Sequence, residues 1–231
     1  RNFDVVYRVF RICGREACMF FVDGFAKDEI MEKLLEFFYG IQDEDLLRDA
    51  HTFSKSCVPY CEVAISGEED TIVGQILSGV WAVFVDGMDQ CVLIDQRTYP
   101  QRTTSEPDQD KSFRGSRDGF VETMVFNAAL IRRRIRSPRL CVEHLEVGET
   151  SRTDVAVCYF EGRADPELVN TVRERIAQAR VDALTMNQES LAELLVRKRW
   201  YNPFPKFKFT ERPDAAAAQI LEGDVVVLVD N

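Results

Sequence analysis

The sequence predicts an α/β fold: two tandem, structurally related α/β subdomains with mixed sheets, joined by a long linker. Three observations lead there. The chain repeats itself at a fixed offset, each half alternates between the period-2 and period-3.6 apolar patterns of strands and helices, and the stretch between the halves carries neither pattern.

The repeat is seen when Asp70 to Gly87 is laid without gaps on Asp214 to Asn231, an offset of 144 residues at which eight of eighteen positions are identical. Among the identities are Ile76/Ile220, Leu77/Leu221, Gly79/Gly223, Val83/Val227 and Asp86/Asp230. Each copy reads as an amphipathic helix closed by a glycine able to take positive φ, followed by a β-branched strand. Upstream, Glu16 to Phe38 corresponds to Asp154 to Ile176 at an offset of 138, placing Gly24 on Gly162. There an apolar strand ends in an acid-Gly pair and a helix follows. In the second copy Asp165-Pro166 provides a capping carboxylate and a proline for the first helical position.

The elements expected in the first copy are strands over 4–12 and 17–23, helices over 28–39 and near 43–50, a strand over 61–66, a helix over 69–78, and strands over 80–86 and 90–96. The last two read as a hairpin around Gly87-Met88-Asp89. The second copy reads as helix 118–135, strands 140–147 and 154–161, helices 166–179 and 188–199, strand 206–211, helix 213–222 and strand 224–230. The resulting division is a first subdomain over 1–97, a linker over 98–117 and a second subdomain over 118–231. No hairpin partner follows the final strand, so the parent protein is expected to continue through a turn into another. The opening at Arg1-Asn2-Phe3, without Met or signal peptide, likewise leads us to expect a longer parent at both ends.

Composition narrows the function. With 231 residues and 45% apolar content the chain can build real cores, and a net charge of −10 makes its surface as a whole repel nucleic acid and anionic headgroups. Nucleic acid is therefore not an expected partner. The stretch Arg97 to Arg139 departs from this balance, with ten basic and five acidic residues. Seven cysteines without a C-x-x-C pair, several inside apolar runs, indicate buried thiols in a reducing compartment. Apolar runs such as Val80 to Val85 are far short of the ~20 residues that span a bilayer. The isolated chain is expected to be monomeric or weakly dimeric.

The segment from Arg97 to Glu122 is polar and contains Pro100 and Pro107, the marks of a linker or long loop. Asp118 is placed to cap the helix that follows. Arg132, Arg133, Arg134 and Arg136 crowd the end of that helix, where its dipole favours cations, and they read first as a solvated terminus.

Tyr99-Pro100, Glu106-Pro107-Asp108 and Arg114-Gly115-Ser116-Arg117-Asp118-Gly119-Phe120-Val121-Glu122 resemble the spore germinant-receptor A-subunit family. The resemblance continues through Asn127 to Ile135, Thr153 to Val157, Pro203-Phe204-Pro205, Thr210 to Asp214 and Leu221-Glu222-Gly223, covering essentially the whole chain. The Gly115-Ser116-Arg117-Asp118-Gly119 variant, with Phe25 to Ile30, looks closer to the family's stage V sporulation branch than to nutrient-binding receptors. The resemblance implies a soluble cytoplasmic N-terminal domain of a spore inner-membrane germination protein, on the core side. Transmembrane helices follow in such proteins. The implied role is a scaffold and signal-coupling module in an oligomeric germination complex thought to act as an ion channel. Its implied partners are the other subunits, its own transmembrane region and further copies of itself.

Candidate interaction residues are Arg97, Pro100, Glu106, Asp108, Arg114, Arg117, Asp118, Glu122, Arg132, Arg133 and Arg134. The loop Arg114 to Gly119 opens a helix and could hold a phosphate or carboxylate. The favoured reading is that its arginines pair with Glu106, Asp108, Asp110 or Glu122 and pin the linker, the next an interface with the membrane region or a neighbouring subunit. No catalytic, metal or cofactor site is expected: the two histidines, His51 and His144, lack ligand spacing, and no nucleophile elbow, dinucleotide fingerprint or P-loop occurs. Cys57 and Cys61 near His51 read as loop and strand-edge residues. An alternative to the scaffold is a sensor that binds a small molecule or ion in a cleft between the subdomains.

Overall fold

The computed structural model describes residues 2–58, 61–99, 118–179, 187–195 and 207–230. Contacts divide these into two compact units. The first holds residues 4–58, 61–99 and 136–138, and the second holds the remainder, including Asn2 and Phe3.

In the first unit β1 (Val5–Ile12) and β2 (Arg15–Val22) form a hairpin around Cys13 and Gly14, which carry φ of 47° and 84°. A two-residue loop with both central residues at positive φ matches the twist of the flanking strands. The chain continues through α1 (Asp28–Gly40), a 3₁₀ turn (Glu44–Leu47), α2 (Ala50–Cys57), β3 (Glu62–Ser66), α3 (Glu69–Leu77), β4 (Trp81–Val85) and β5 (Cys91–Asp95). The sheet order is β1-β2-β4-β5-β3. Phe10, Met19, Trp81 and Val83 on one face pack against Phe38 of α1 and Phe53 of α2. On the other face Ala82 and Leu93 meet Ile72 and Ile76 of α3.

The second unit contains α4 (Met124–Arg134), β6 (Leu140–Val147), β7 (Thr153–Phe160), α5 (Pro166–Ala177), α6 (Asn187–Leu195), α7 (Pro213–Glu222) and β8 (Val226–Val229), with sheet order β6-β7-β8. One sheet face is closed by α4 and α7 and the other by α5 and α6, so strands buried on both sides read as continuous apolar runs.

The two sheets share one register. Ala17 faces Val85 and Met19 faces Val83; Val155 faces Val229 and Val157 faces Val227. Val5 opposite Val22 has its equivalent in Leu140 opposite Phe160. Asp86 N donates to Glu16 O at 2.8 Å, and Asp230 N donates to Asp154 O at 2.9 Å. Both helix ends close in the same way: Val80 N and Asp224 N each reach a Gln carbonyl, of Gln75 and Gln219, at 3.0 Å. Gly79 and Gly223 supply the left-handed residue of that motif at φ of 100° and 108°.

Strand pairing differs from the sequence reading in three ways. The ladders between strands are antiparallel throughout, not mixed, and only the isolated bridge of Asn2 with Val142 is parallel. Short hairpins and returning strands favour antiparallel neighbours, and no crossover places two strands side by side in the same direction. The expected strand over 206–211 is irregular across its described residues 207–211. In the first unit the matching strand, β3, is held through β5. The described second unit has no strand beside β8 to do this, and Phe207 and Phe209 are exposed. Finally, Asn2 and Phe3 join β6, through Val142 N to Asn2 Oδ1 at 3.0 Å and Phe3 N to Val142 O at 3.1 Å.

Candidate functional site

The arginine-rich end of α4 arises from two conflicting demands of its sequence. Met124, Ala128 and Ile131, with Ile135 just beyond, recur at helical spacing and are buried against Leu140, Val142 and Ala156. That stripe carries the adjoining arginines into the structure rather than out to solvent.

Arg132 is fully buried. Its guanidinium donates to Leu140 O at 3.3 and 3.4 Å, joining the helix end to the first residue of β6. Arg134 donates to Leu130 O at 2.8 Å and to both oxygens of Asp118, the nearer-ideal contact being 2.6 Å to Oδ1. Arg133 is half-buried beside them. The expectation of a solvated terminus is thus corrected for Arg132 and Arg134. A buried charge needs hydrogen-bond partners, and carbonyls and a carboxylate supply them.

Asp118 does not cap the helix, because α4 begins six residues later. Thr123 at the N-cap position makes no side-chain cap. The free N–H of Met124 donates instead to Asp230 Oδ1 at 2.6 Å, a contact across 106 residues of sequence. Between these points Phe120 N donates to Glu211 O at 2.9 Å, and Asn127 bonds both the N–H and the carbonyl of Val121. Residues 118–124 are therefore fastened along their length. Glu122 among them is exposed.

A second ion pair stands at the start of α7. Arg212 Nε donates to Asp214 Oδ1 at 3.1 Å and a second guanidinium nitrogen to Oδ2 at 2.5 Å. The Arg212 hydrogen bond holds the Asp214 carboxyl below its ordinary value, with a smaller contribution from the charge of Arg134. In the first unit Arg97 grips Asp95 in the same two-pronged way, through Nε to Oδ1 at 2.9 Å, and depresses its carboxyl. Beyond it, Thr98 N donates to Phe25 O at 3.1 Å and Tyr99 OH to Ser78 O at 3.1 Å. The chain leaving the first unit is held to that unit up to Tyr99.

Pro100, Glu106, Asp108, Arg114 and Arg117 lie outside the described residues, as does most of the expected linker. The structure brings Asp118 and Arg134 together, with Arg132 and Arg133 alongside, and places Arg97 in the first unit. Sequence reasoning missed Asp230 as a cap and Glu143 as a hub. Glu143 accepts from Tyr159 OH at 2.7 Å and from two Arg173 nitrogens at 2.8 Å. For Asp230 a signal existed in its repeat with Asp86. Among the described residues no three His, Cys, Asp or Glu side chains gather as metal ligands. Burial raises the Cys57 thiol, and Cys61 Sγ accepts from Gln96 Nε2.

Fold and charged groups together define a duplicated α/β module in which arginine–carboxylate pairs fasten chain segments. The chain belongs to the Bacillus/Clostridium GerA spore germination protein family, which it matches over residues 1–231. It is 40% identical to stage V sporulation protein AF of Bacillus subtilis (strain 168), covering 99% of this chain and 46% of that protein. It is 30% identical to spore germination protein KA of the same organism over 82% of this chain and 35% of the relative. The chain thus spans less than half the length of these relatives. The crystal structure of the N-terminal domain of the A subunit of the Bacillus megaterium spore germinant receptor GerK3 shares its fold. The TM-score is 0.70 at 24% identity, over 99% of this chain and 85% of that one. Among the described residues no helix is long and apolar enough to cross a membrane.

Proposed function

We propose that this chain is the soluble N-terminal region of a spore inner-membrane germination protein, lying on the cytoplasmic, core side of that membrane. There it serves as a non-enzymatic scaffold and signal-coupling module of an oligomeric, ion-conducting germination complex. Its partners are the other subunits, its own transmembrane region and further copies of the protein. The observation that carries this reading is the family match along all 231 residues. The fastening of α4 and its arginines agrees with it, since a coupling module needs segments that move as rigid pieces rather than a cleft lined with reactive groups. Arg114 and Arg117, next to the pinned residues 118–124, are proposed as contacts to a neighbouring subunit.

The test replaces Arg114 and Arg117 with Ala in the full-length protein and measures germination and complex assembly in spores. Impaired assembly, with unchanged thermal unfolding of the Arg1–Asn231 chain, is expected. Normal germination with both replaced rejects the role assigned to those residues. Calorimetry with amino acids, sugars, nucleosides and dipicolinate separates scaffold from sensor, because saturable binding near micromolar would favour the sensor.

A further inference from the structure

β1 stands at the outer edge of the first unit's sheet, with backbone groups turned outward along its length. The two-residue turn at Cys13 and Gly14 makes Ile12 and Arg15 a hydrogen-bonded pair, and alternation along the ladder makes Phe10, Arg8 and Val6 the residues that bond to β2. Asp23 N donating to Asp4 O at 2.8 Å continues that series. The N–H and C=O groups of Val5, Tyr7, Val9 and Arg11 therefore point away from β2, and among the described residues no backbone group meets them. The second unit shows what such an edge accepts. Val142 of β6 takes the place of Tyr7 in the shared register, its N–H donating to Asn2 Oδ1 and its carbonyl accepting from Phe3 N. The occupant there is an extended chain.

Apolar surface flanks the β1 edge on both sides of the sheet. On one face Tyr7 is 64% exposed and Val9 60%, and rings run inward from Tyr7 to Phe20 at 5.7 Å and on to Phe84 at 5.8 Å. On the other face the exposed Tyr39 of α1 stands edge-on to Phe10, with centroids 6.3 Å apart. A helix or a lipid surface laid on the sheet would cover one of these faces, whereas a strand added in line, with its own flanking side chains, covers both. β1 offers such a strand eight residues without proline, glycine or bulge.

We infer that β1 pairs antiparallel with β1 of a second copy of this chain, joining the two sheets across a twofold axis. With the axis at Val9, the outward-bonding residues meet as Val9 with Val9, Tyr7 with Arg11 and Arg11 with Tyr7. Arg8 comes opposite Phe10 and beside Tyr39 of the second copy, so each guanidinium on the strand meets a ring. No like charges stand opposed in this register, whereas an axis at Arg8 would set Arg8 against Arg8. Arg11 also keeps its ion pair with Glu16, at 3.5 Å, within its own hairpin. The inference rests on the proposed role only in naming a surface through which copies meet. Its test contains no germination readout, so each can fail without the other.

Sedimentation velocity of the Arg1–Asn231 chain supplies the test. A monomer–dimer equilibrium with a dissociation constant of about 100 μM or tighter is expected. Val9→Lys and Val9→Glu, at an exposed position, should each weaken it at least about tenfold by opposing like charges on the axis. An equimolar mixture of the two variants should restore the dimer. Val9→Pro removes an N–H that β2 does not use, so it should abolish the dimer while leaving the thermal midpoint close to that of the unmodified chain. A chain that stays monomeric, or dimerises more weakly than that, overturns the inference. That includes the case in which the β1 amides resist hydrogen exchange only within the full-length assembly, where another protein then holds the edge. A dimer that survives all three substitutions overturns it as well, as does a Lys and Glu mixture that fails to pair.

Discussion

Asp230 Oδ1 accepts the backbone N–H of Met124 at 2.6 Å, so the residue that follows β8 caps α4. Thr123 makes no side-chain cap, and this contact takes over that role. Asp230→Ala is expected to cost about 1 kcal/mol, the usual loss for a removed cap, read as a lower urea midpoint with unchanged slope. Asp230→Asn, which keeps an acceptor, should lose less.

Gly79 and Gly74 make a matched pair. An added Cβ at Gly79, at φ of 100°, would stand 2.8 Å from Phe25 Cδ2 and 3.1 Å from Arg97 Cγ; at Gly74, inside α3, it would meet nothing within 4 Å. Gly79→Ala should therefore destabilise by about 1–3 kcal/mol through strain and overpacking. Gly74→Ala should stabilise by roughly 0.5–1 kcal/mol by removing freedom from the unfolded chain. Opposite shifts in thermal midpoint are the readout. Gly223→Ala should behave like Gly79→Ala, since its Cβ would lie 2.9 Å from Arg163 O.

Much of this was legible in the chain because the repeat preserves the residues that backbone geometry demands. Gly79 and Gly223 mark the left-handed helix ends, and Asp165 caps α5 as its neighbour Pro166 suggests, accepting from Glu167 N at 2.9 Å. What stayed hidden depends on distant partners. Asp230 reaches Met124 from the other end of the unit, and nothing local in Arg132-Arg133-Arg134 says that the first is buried. The Lys206 to Glu211 stretch alternates like a strand, but pairing depends on a neighbour that the alternation cannot supply. The expected helix near 43–50 divides into a 3₁₀ turn and α2, which starts after Asp49 accepts from Thr52 N at 2.7 Å. Of the candidate residues, Asp118 and Arg134 meet, while Arg97 serves the first unit's exit.

Stability should fall on the acid side in a way traceable to single pairs. The carboxyls of Asp95 and Asp214 are held below their ordinary value of 3.8 by hydrogen bonds from Arg97 and Arg212. A carboxyl depressed in the folded state contributes stability that is present above its unfolded pKa and is lost as pH falls through the folded one. Urea midpoints should accordingly drop below about pH 4. Arg212→Ala should lower stability at pH 7 and differ progressively less from the unmodified chain as pH falls below the carboxyl's ordinary value, because protonation removes the pair. A constant difference across that range would contradict this.

Cys91 is 2% exposed, and burial pushes its thiol up to about 12. At pH 8 it is a neutral thiol behind packed side chains, whereas alkylation needs an accessible thiolate. Mass mapping after brief iodoacetamide treatment should find Cys91 and the fully buried Cys158 unmodified in the native chain and modified in urea. Half-buried Cys13 should react first.

The claim that this chain is a coupling module of a germination assembly is tested most directly by the size and composition of the complex extracted from spore membranes. Native electrophoresis with mass spectrometry would compare the intact protein with one lacking residues 1–231. A large assembly containing other germination proteins, lost together with rapid germination on deletion, is the predicted result. An assembly of the same size and composition, with germination unimpaired, would contradict the account.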